Sequence, residues 1–205
     1  MKDTKRERAQ NSFNFNLLRS KPFTILLILY SLDAFSTEAV QWIVPLYLRE
    51  LGYSVLDYGF LISAQTLIIA FGGTFAGIFV DRFEPVNALS LSYLSVALSL
   101  LAFSLGKGWI LALAYLVWKT FGMIGFAALP LLVEKYFGKM KASAFGTISA
   151  ITTLVSIPAP SFGGLLLSFG AETPFVFKAV INLSCFTLAK TSLNEDLIKE
   201  QEFKR

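Results

Sequence analysis

The stretch Leu29–Leu48, LYSLDAFSTEAVQWIVPLYL, is apolar enough to lie in a membrane, yet it carries two acids, Asp33 and Glu38. It belongs to a longer block, Pro22–Leu48, and similar blocks recur along the chain near 58–80, 86–105, 109–133, 142–169 and 173–189. Each approaches or exceeds the roughly 20 residues that an α-helix needs to cross a bilayer. Several are apolar on all sides, so lipid or protein must cover every face. The 205 residues are 55% hydrophobic and only 16% charged, with a mean hydropathy of +0.61. These observations predict an all-α integral membrane protein with six transmembrane helices.

Orientation is read from Lys and Arg, which concentrate on the cytoplasmic side of membrane proteins. With the N-terminus inside, only Arg49 and Lys107 of the 18 basic residues fall in outer loops, and Lys119 and Lys178 fall within spans. The remainder lie inside. Residues 1–21 form a basic cytoplasmic tail, 22–189 the membrane domain, and 190–205 a second cytoplasmic segment. Both termini are thus expected in the cytoplasm of a multi-pass protein of the plasma membrane. The first block lacks a small-residue cleavage pattern and is too long for a cleaved signal peptide. The positive-inside effect accounts for the basic tail, so no nucleic-acid partner is expected.

Composition also limits the chemistry. There is no histidine, so a histidine pH switch and the usual zinc sites are excluded. The single cysteine, Cys185, precludes an intramolecular disulfide. A nucleotide loop, a metal cluster and a nucleophile–base pair are all missing from the sequence, so neither an enzyme nor a cofactor is expected. Proton chemistry would fall to carboxylates, lysine or tyrosine.

The chain resembles itself when shifted by 86 residues. Ile62-Ser63-Ala64-Gln65-Thr66 falls on Ile148-Ser149-Ala150-Ile151-Thr152, Gly77 on Gly163, Lys21 on Lys107 and Asp33 on Lys119. The shift carries the first three spans onto the last three. Three is odd, so the second triplet enters from the opposite side, giving a 3+3 inverted repeat.

Small residues mark helix contacts. The second span holds Gly73 and Gly77 in GxxxG spacing, with Ser63, Ala64, Ala70 and Ala76 nearby. The fifth holds SIPAPSFGG, in which Pro158 and Pro160 each remove a backbone donor and predict a helix bend, with Gly163 and Gly164 following.

Two of these stretches resemble motifs of the major facilitator superfamily. In GIFVDRF, Gly77, Asp81 and Arg82 match its Gly-x-x-x-Asp-Arg loop motif, while Glu84 stands at the second glycine and Pro85-Val86 at the basic pair. In APSFGG, Pro160, Gly163 and Gly164 match the fifth-helix Gly-Pro-x-x-Gly-Gly pattern associated with proton-driven antiporters, and Ala159 replaces its first glycine. Lys119, before FGMIGFAA, is similar in place to an arginine of the family's fourth span.

The resemblance implies a conformational latch at Gly77, Asp81 and Arg82. It also implies a central cavity lined by the first and fourth spans, where Asp33 or Glu38 faces Lys119 across water. One acid is then expected to carry a coupling proton and release it as Lys119 approaches. Asp33 and Glu38 are five residues apart, about 140° around a helix, so they point different ways. Tyr30, Gln41, Trp42, Gln65, Trp118 and Asn182 are candidates for the cavity wall. Lys178, which the resemblance puts on a peripheral sixth span, is expected to snorkel toward the outer interface.

The family has about twelve spans in two halves, and this chain resembles the N-terminal one. The implied function is secondary active transport of a small solute, proton-coupled efflux or antiport. The implied partners are the lipid bilayer, substrate and protons, and a second half supplied by a homodimer or a separate six-helix chain. The alternative is a non-transporting scaffold or a truncated, degenerate half-transporter.

Overall fold

The structure, a computed structural model, describes residues 20–193; the expected tails therefore lie largely outside the described residues, at 1–19 and 194–205. The described chain is helical almost throughout. Its α-helices are α1 (Lys21–Gln41), α2 (Val44–Glu50), α3 (Val55–Phe83), α4 (Pro85–Leu105), α5 (Trp109–Phe137), α6 (Lys141–Ser156), α7 (Ala159–Leu167) and α8 (Thr173–Leu188). Among the described residues, five helical runs are long and apolar enough to cross a membrane: α1, α3, α4, the run Trp109–Ser156, and Thr173–Leu193.

The helix boundaries have local causes. Pro45 sits in the first turn of α2, where its missing N–H could not serve the carbonyl of Gln41. The chain tightens there instead, and Ile43 N–H donates to Val40 O at 3.0 Å. A reciprocal box starts α3: Asp57 N–H donates to Ser54 Oγ at 3.2 Å, and Ser54 N–H donates to Asp57 Oδ2 at 2.8 Å. The 48-residue run Trp109–Ser156 would measure roughly 70 Å if straight. It is divided at Gly138, whose φ of 44° only glycine adopts readily, and by the short 3-10 turn Gly138–Met140. At Pro158 and Pro160 the helix breaks between α6 and α7, with Ile157 N–H donating to Leu154 O at 3.3 Å.

Packing is uneven. Helix α4 lies at the centre, against α5 and α8, while α1 packs on α6, α7 and α8. Within the most apolar window of each span, 61% of α4 is buried but only 6% of α3. The GxxxG pair explains little of the packing inside this chain: a Cβ added at Gly73 or Gly77 meets nothing within 4 Å. Gly163 is the close contact. A Cβ there would lie 1.9 Å from Ala39 O of α1, so α7 and α1 touch backbone to backbone only because the side chain is absent.

Two apolar cores form. One gathers Phe23, Leu26, Val80, Val86, Leu132 and Val133. The other is aromatic and centres on Phe103, whose ring lies 4.9–6.1 Å from those of Tyr47, Tyr115, Trp118 and Phe175. Tyr47 OH closes this end by donating to Ser104 O at 2.8 Å.

Candidate functional site

A cavity of about 1210 Å³ opens beside these cores, bordered by α1, α3, α4, α5, α6, α7 and α8. Its wall is mostly apolar, with a few charged and polar side chains converging on it, as in ligand sites generally. Tyr30, Asp33, Glu38, Gln65, Trp118, Lys119 and Asn182 all line it, as does Pro160 of the bend. Gln41 and Trp42 do not; both are exposed beyond the cavity lining. Trp42 instead donates its indole N–H to Glu38 Oε2 at 3.2 Å.

The charged groups pair differently from expectation. Lys178 does not snorkel. It is buried, 1% exposed, and its ammonium lies 3.0 Å from Asp33 Oδ1. It also donates to Thr37 Oγ1 at 2.8 Å and, at 3.4 Å, to Ser36 Oγ. An ammonium has three N–H donors, and these three oxygens, all from α1, account for them. The physical reason is direct: α8 packs on both α1 and α4, so the face bearing Lys178 looks inward, where a carboxylate is within reach. Asp33 keeps 35% of its side-chain surface exposed while that of Lys178 keeps 2%. Both line the cavity, and the acid is the more open half of the pair.

Lys119, expected opposite an acid, sits over aromatic faces. Its Nζ is 4.4 Å from the Trp118 ring centroid and 5.4 Å from that of Tyr115, a cation–π arrangement. Among the described residues the ion pairs are Lys178–Asp33, Lys135–Glu84 and Lys141–Glu134. Neither Lys119 nor Glu38 belongs to one.

Hydrogen bonds fix the wall. Tyr30 OH donates to Gly125 O at 3.0 Å, five residues before Pro130, which sits inside α5. Tyr115 OH donates to Gln65 Oε1, joining α5 to α3. Asn182 Nδ2 donates to Lys178 O at 3.0 Å, but Asn182 Oδ1 and Tyr93 OH, both buried on the cavity wall, have no hydrogen-bond partner.

Sequence reasoning missed Lys178, Thr37, Ser36 and Tyr93. A signal for the first was present. Lys178 and Asn182 are four apart and share a helix face, and two polar groups on one face of an apolar span suggest an interior face.

The motif at the end of α3 is placed outside the cavity. Asp81 and Arg82 are exposed there and Gly77 is half-buried. The ion pair nearby is made by Glu84, the residue standing at the motif's second glycine, with Lys135 at 3.0 Å. Glu84 has φ 65° and ψ 133°. The ψ is what a residue before proline requires, but the φ is one that side chains disfavour.

The model of the Major Facilitator Superfamily matches residues 26–204. The chain belongs to this family of membrane transporters. It is 25% identical over 159 residues to the quinolone resistance protein NorA of Staphylococcus aureus (strain MRSA252), covering 75% of this chain and 40% of that one. It is 28% identical over 176 residues to the class G tetracycline resistance protein of Vibrio anguillarum, covering 83% and 44% respectively. The chain thus spans about two-fifths of the length of the curated relatives it matches.

Proposed function

We propose that this chain forms one six-span half of a proton-coupled secondary transporter that exports a small amphipathic solute. The observation that carries the reading is the Asp33–Lys178 pair on the cavity wall, with its acid open and its ammonium buried. A charge inside a membrane protein requires a partner, a cavity or a proton, and Asp33 is placed to have all three. While ionised, Asp33 ties α8 to α1 through Lys178. Protonation removes that tie and leaves the ammonium with the Thr37 and Ser36 hydroxyls. The balance between α1–α8 arrangements then follows the proton, which is what coupling requires. The role expected of Lys119 as the counter-charge passes to Lys178. The resistance named for both relatives fits export.

The 3+3 architecture has support from the helix bounds. Shifted by 86 residues, α3 falls on 141–169, against Lys141–Leu167 for α6 and α7 together, and α4 falls on 171–191, against Thr173–Leu193. In this reading Trp109–Ser156 crosses twice, turning at Gly138. Both termini lie in the cytoplasm and the protein resides in the plasma membrane. The exposed face of α3 meets a second six-span half, from another copy of the chain or from another sequence, and the cavity is enclosed between them. Asp81 and Arg82 latch the cytoplasmic ends of the helices, and the bend at Pro158 and Pro160 lets the fifth span flex.

The altered loop motif, with Glu84-Pro85-Val86 in place of glycine and basic residues, favours a second reading: a non-transporting scaffold or a degenerate half. Everted membrane vesicles from cells making the full-length protein separate the two. Three probes share one dansyl body: dansylcadaverine (a cation), 6-(dansylamino)hexanoate (an anion) and Nε-dansyl-lysine (a zwitterion). Transport predicts accumulation of at least one in acid-filled vesicles, with the pH-gradient dependence lost in Asp33→Asn at equal protein level. Identical traces for the wild type, Asp33→Asn and protein-free membranes would instead support the scaffold.

A further inference from the structure

The cavity carries two acids and two ammonium groups, and they are not used alike. Asp33 and Lys178 satisfy each other. Glu38 and Lys119 line the same cavity but form no ion pair with each other or with any other described residue. Glu38 accepts a single hydrogen bond from an exposed indole, and Lys119 rests on the ring of Trp118. One positive and one negative group thus stand open to a single apolar chamber. Neither has an opposite charge against it, so each can take one from a ligand.

We propose that Glu38 and Lys119 form a dipolar subsite and that the preferred ligand is an aromatic zwitterion, its ammonium taken by Glu38 and its carboxylate by Lys119. The assignment rests on the transport reading for its biological meaning, but its physical argument is charge balance. A monocation would satisfy Glu38 and leave Lys119 repelling it. A monoanion would satisfy Lys119 and face Glu38. A zwitterion leaves neither charge open and keeps the chamber neutral. The Trp118 and Tyr115 rings under Lys119 hold the ammonium in place without neutralising it, so it remains available to a carboxylate. An uncharged ligand would meet neither open charge.

The test is equilibrium binding of the three dansyl probes to the full-length protein in lipid nanodiscs at neutral pH, by dansyl fluorescence. The probes differ only in their charged ends. Dansyl-lysine is expected to bind about tenfold more tightly than dansylcadaverine or dansylaminohexanoate, about 1.4 kcal/mol. Lys119→Gln should weaken dansyl-lysine and dansylaminohexanoate and spare dansylcadaverine; Glu38→Gln should weaken dansyl-lysine and dansylcadaverine and spare the anion. Equal affinity for all three, no binding of any, or variants that shift all three together would overturn the proposal. The two readings fail separately: loss of pH-gradient-driven flux in Asp33→Asn tests transport, whereas the equilibrium affinities of the wild type, Glu38→Gln and Lys119→Gln test the subsite whether or not any probe is transported.

Discussion

Lys178 Nζ lies 3.0 Å from Asp33 Oδ1, and the two residues are 145 positions apart in sequence. The bond joins α8 to α1 across the interior of the chain. Its two ends differ: the lysine side chain is 2% exposed and the aspartate 35%. Neutralising one end therefore differs from neutralising the other. Asp33→Asn leaves a buried ammonium without its counter-charge, whereas Lys178→Met leaves a carboxylate that the cavity can hydrate. Asp33→Asn should destabilise the protein by about 2 kcal/mol or more, Lys178→Met by less, and the double variant should recover part of the loss. Cys185 is buried and is the chain's single cysteine, so the rate of its labelling by a thiol-reactive dye on heating reports the unfolding of each variant.

Gly163 and Gly164 are adjacent but differ in surroundings. A methyl group at Gly163 would collide with Ala39 O at 1.9 Å, while one at Gly164 meets nothing within 4 Å. Gly163→Ala should separate α7 from α1 and cost about 1–3 kcal/mol. Gly164→Ala should be close to neutral. The same thermal labelling measurement, run on both variants side by side, checks the contrast.

Glu84 combines an unfavourable φ of 65° with an ion pair to Lys135. The pair is partly exposed, at 30% and 42%, and is worth at most about 1 kcal/mol. Relief of the backbone conformation is worth about 1–3 kcal/mol. Glu84→Gly, which restores the residue type of the resembled motif, should therefore leave stability unchanged or raise it. Glu84→Ala should lower it, because the strain stays and the pair is lost. Melting temperatures of the two variants decide the sign.

The exposed α3 requires a counterpart if the cavity is to close. Gentle extraction of the full-length protein followed by native mass spectrometry should find it with a second six-span unit, as a dimer or with another sequence. A lone six-span particle would favour the scaffold reading.

Helical class, membrane character and family were legible because they depend on long apolar blocks and on spaced motifs such as Gly77-x-x-x-Asp81-Arg82. The placement of Asp33, Glu38, Lys119, Trp118 and Asn182 on one cavity wall was also within reach, since charge and polarity inside a span imply an interior face. The partner of Asp33 was not. The 86-residue shift aligned Asp33 with Lys119 along spans one and four, but position along a span does not fix azimuth. The packing of α8 against both α1 and α4 decides which lysine arrives, and that is a tertiary fact. Gln41 and Trp42 do share the face of Glu38, as the Trp42–Glu38 hydrogen bond shows, but they sit at the end of α1, exposed and beyond the cavity lining.

The most direct test of the account is proton release on ligand binding. Purified full-length protein in a weakly buffered detergent solution is mixed with the dansyl probe that binds it best, and a pH-sensitive dye follows the solution. If Asp33 is the coupling site, binding to the wild type shifts protons between protein and solution, and Asp33→Asn binds the probe with no shift. An equal proton shift in wild type and Asp33→Asn, at equal probe occupancy, would contradict the central claim.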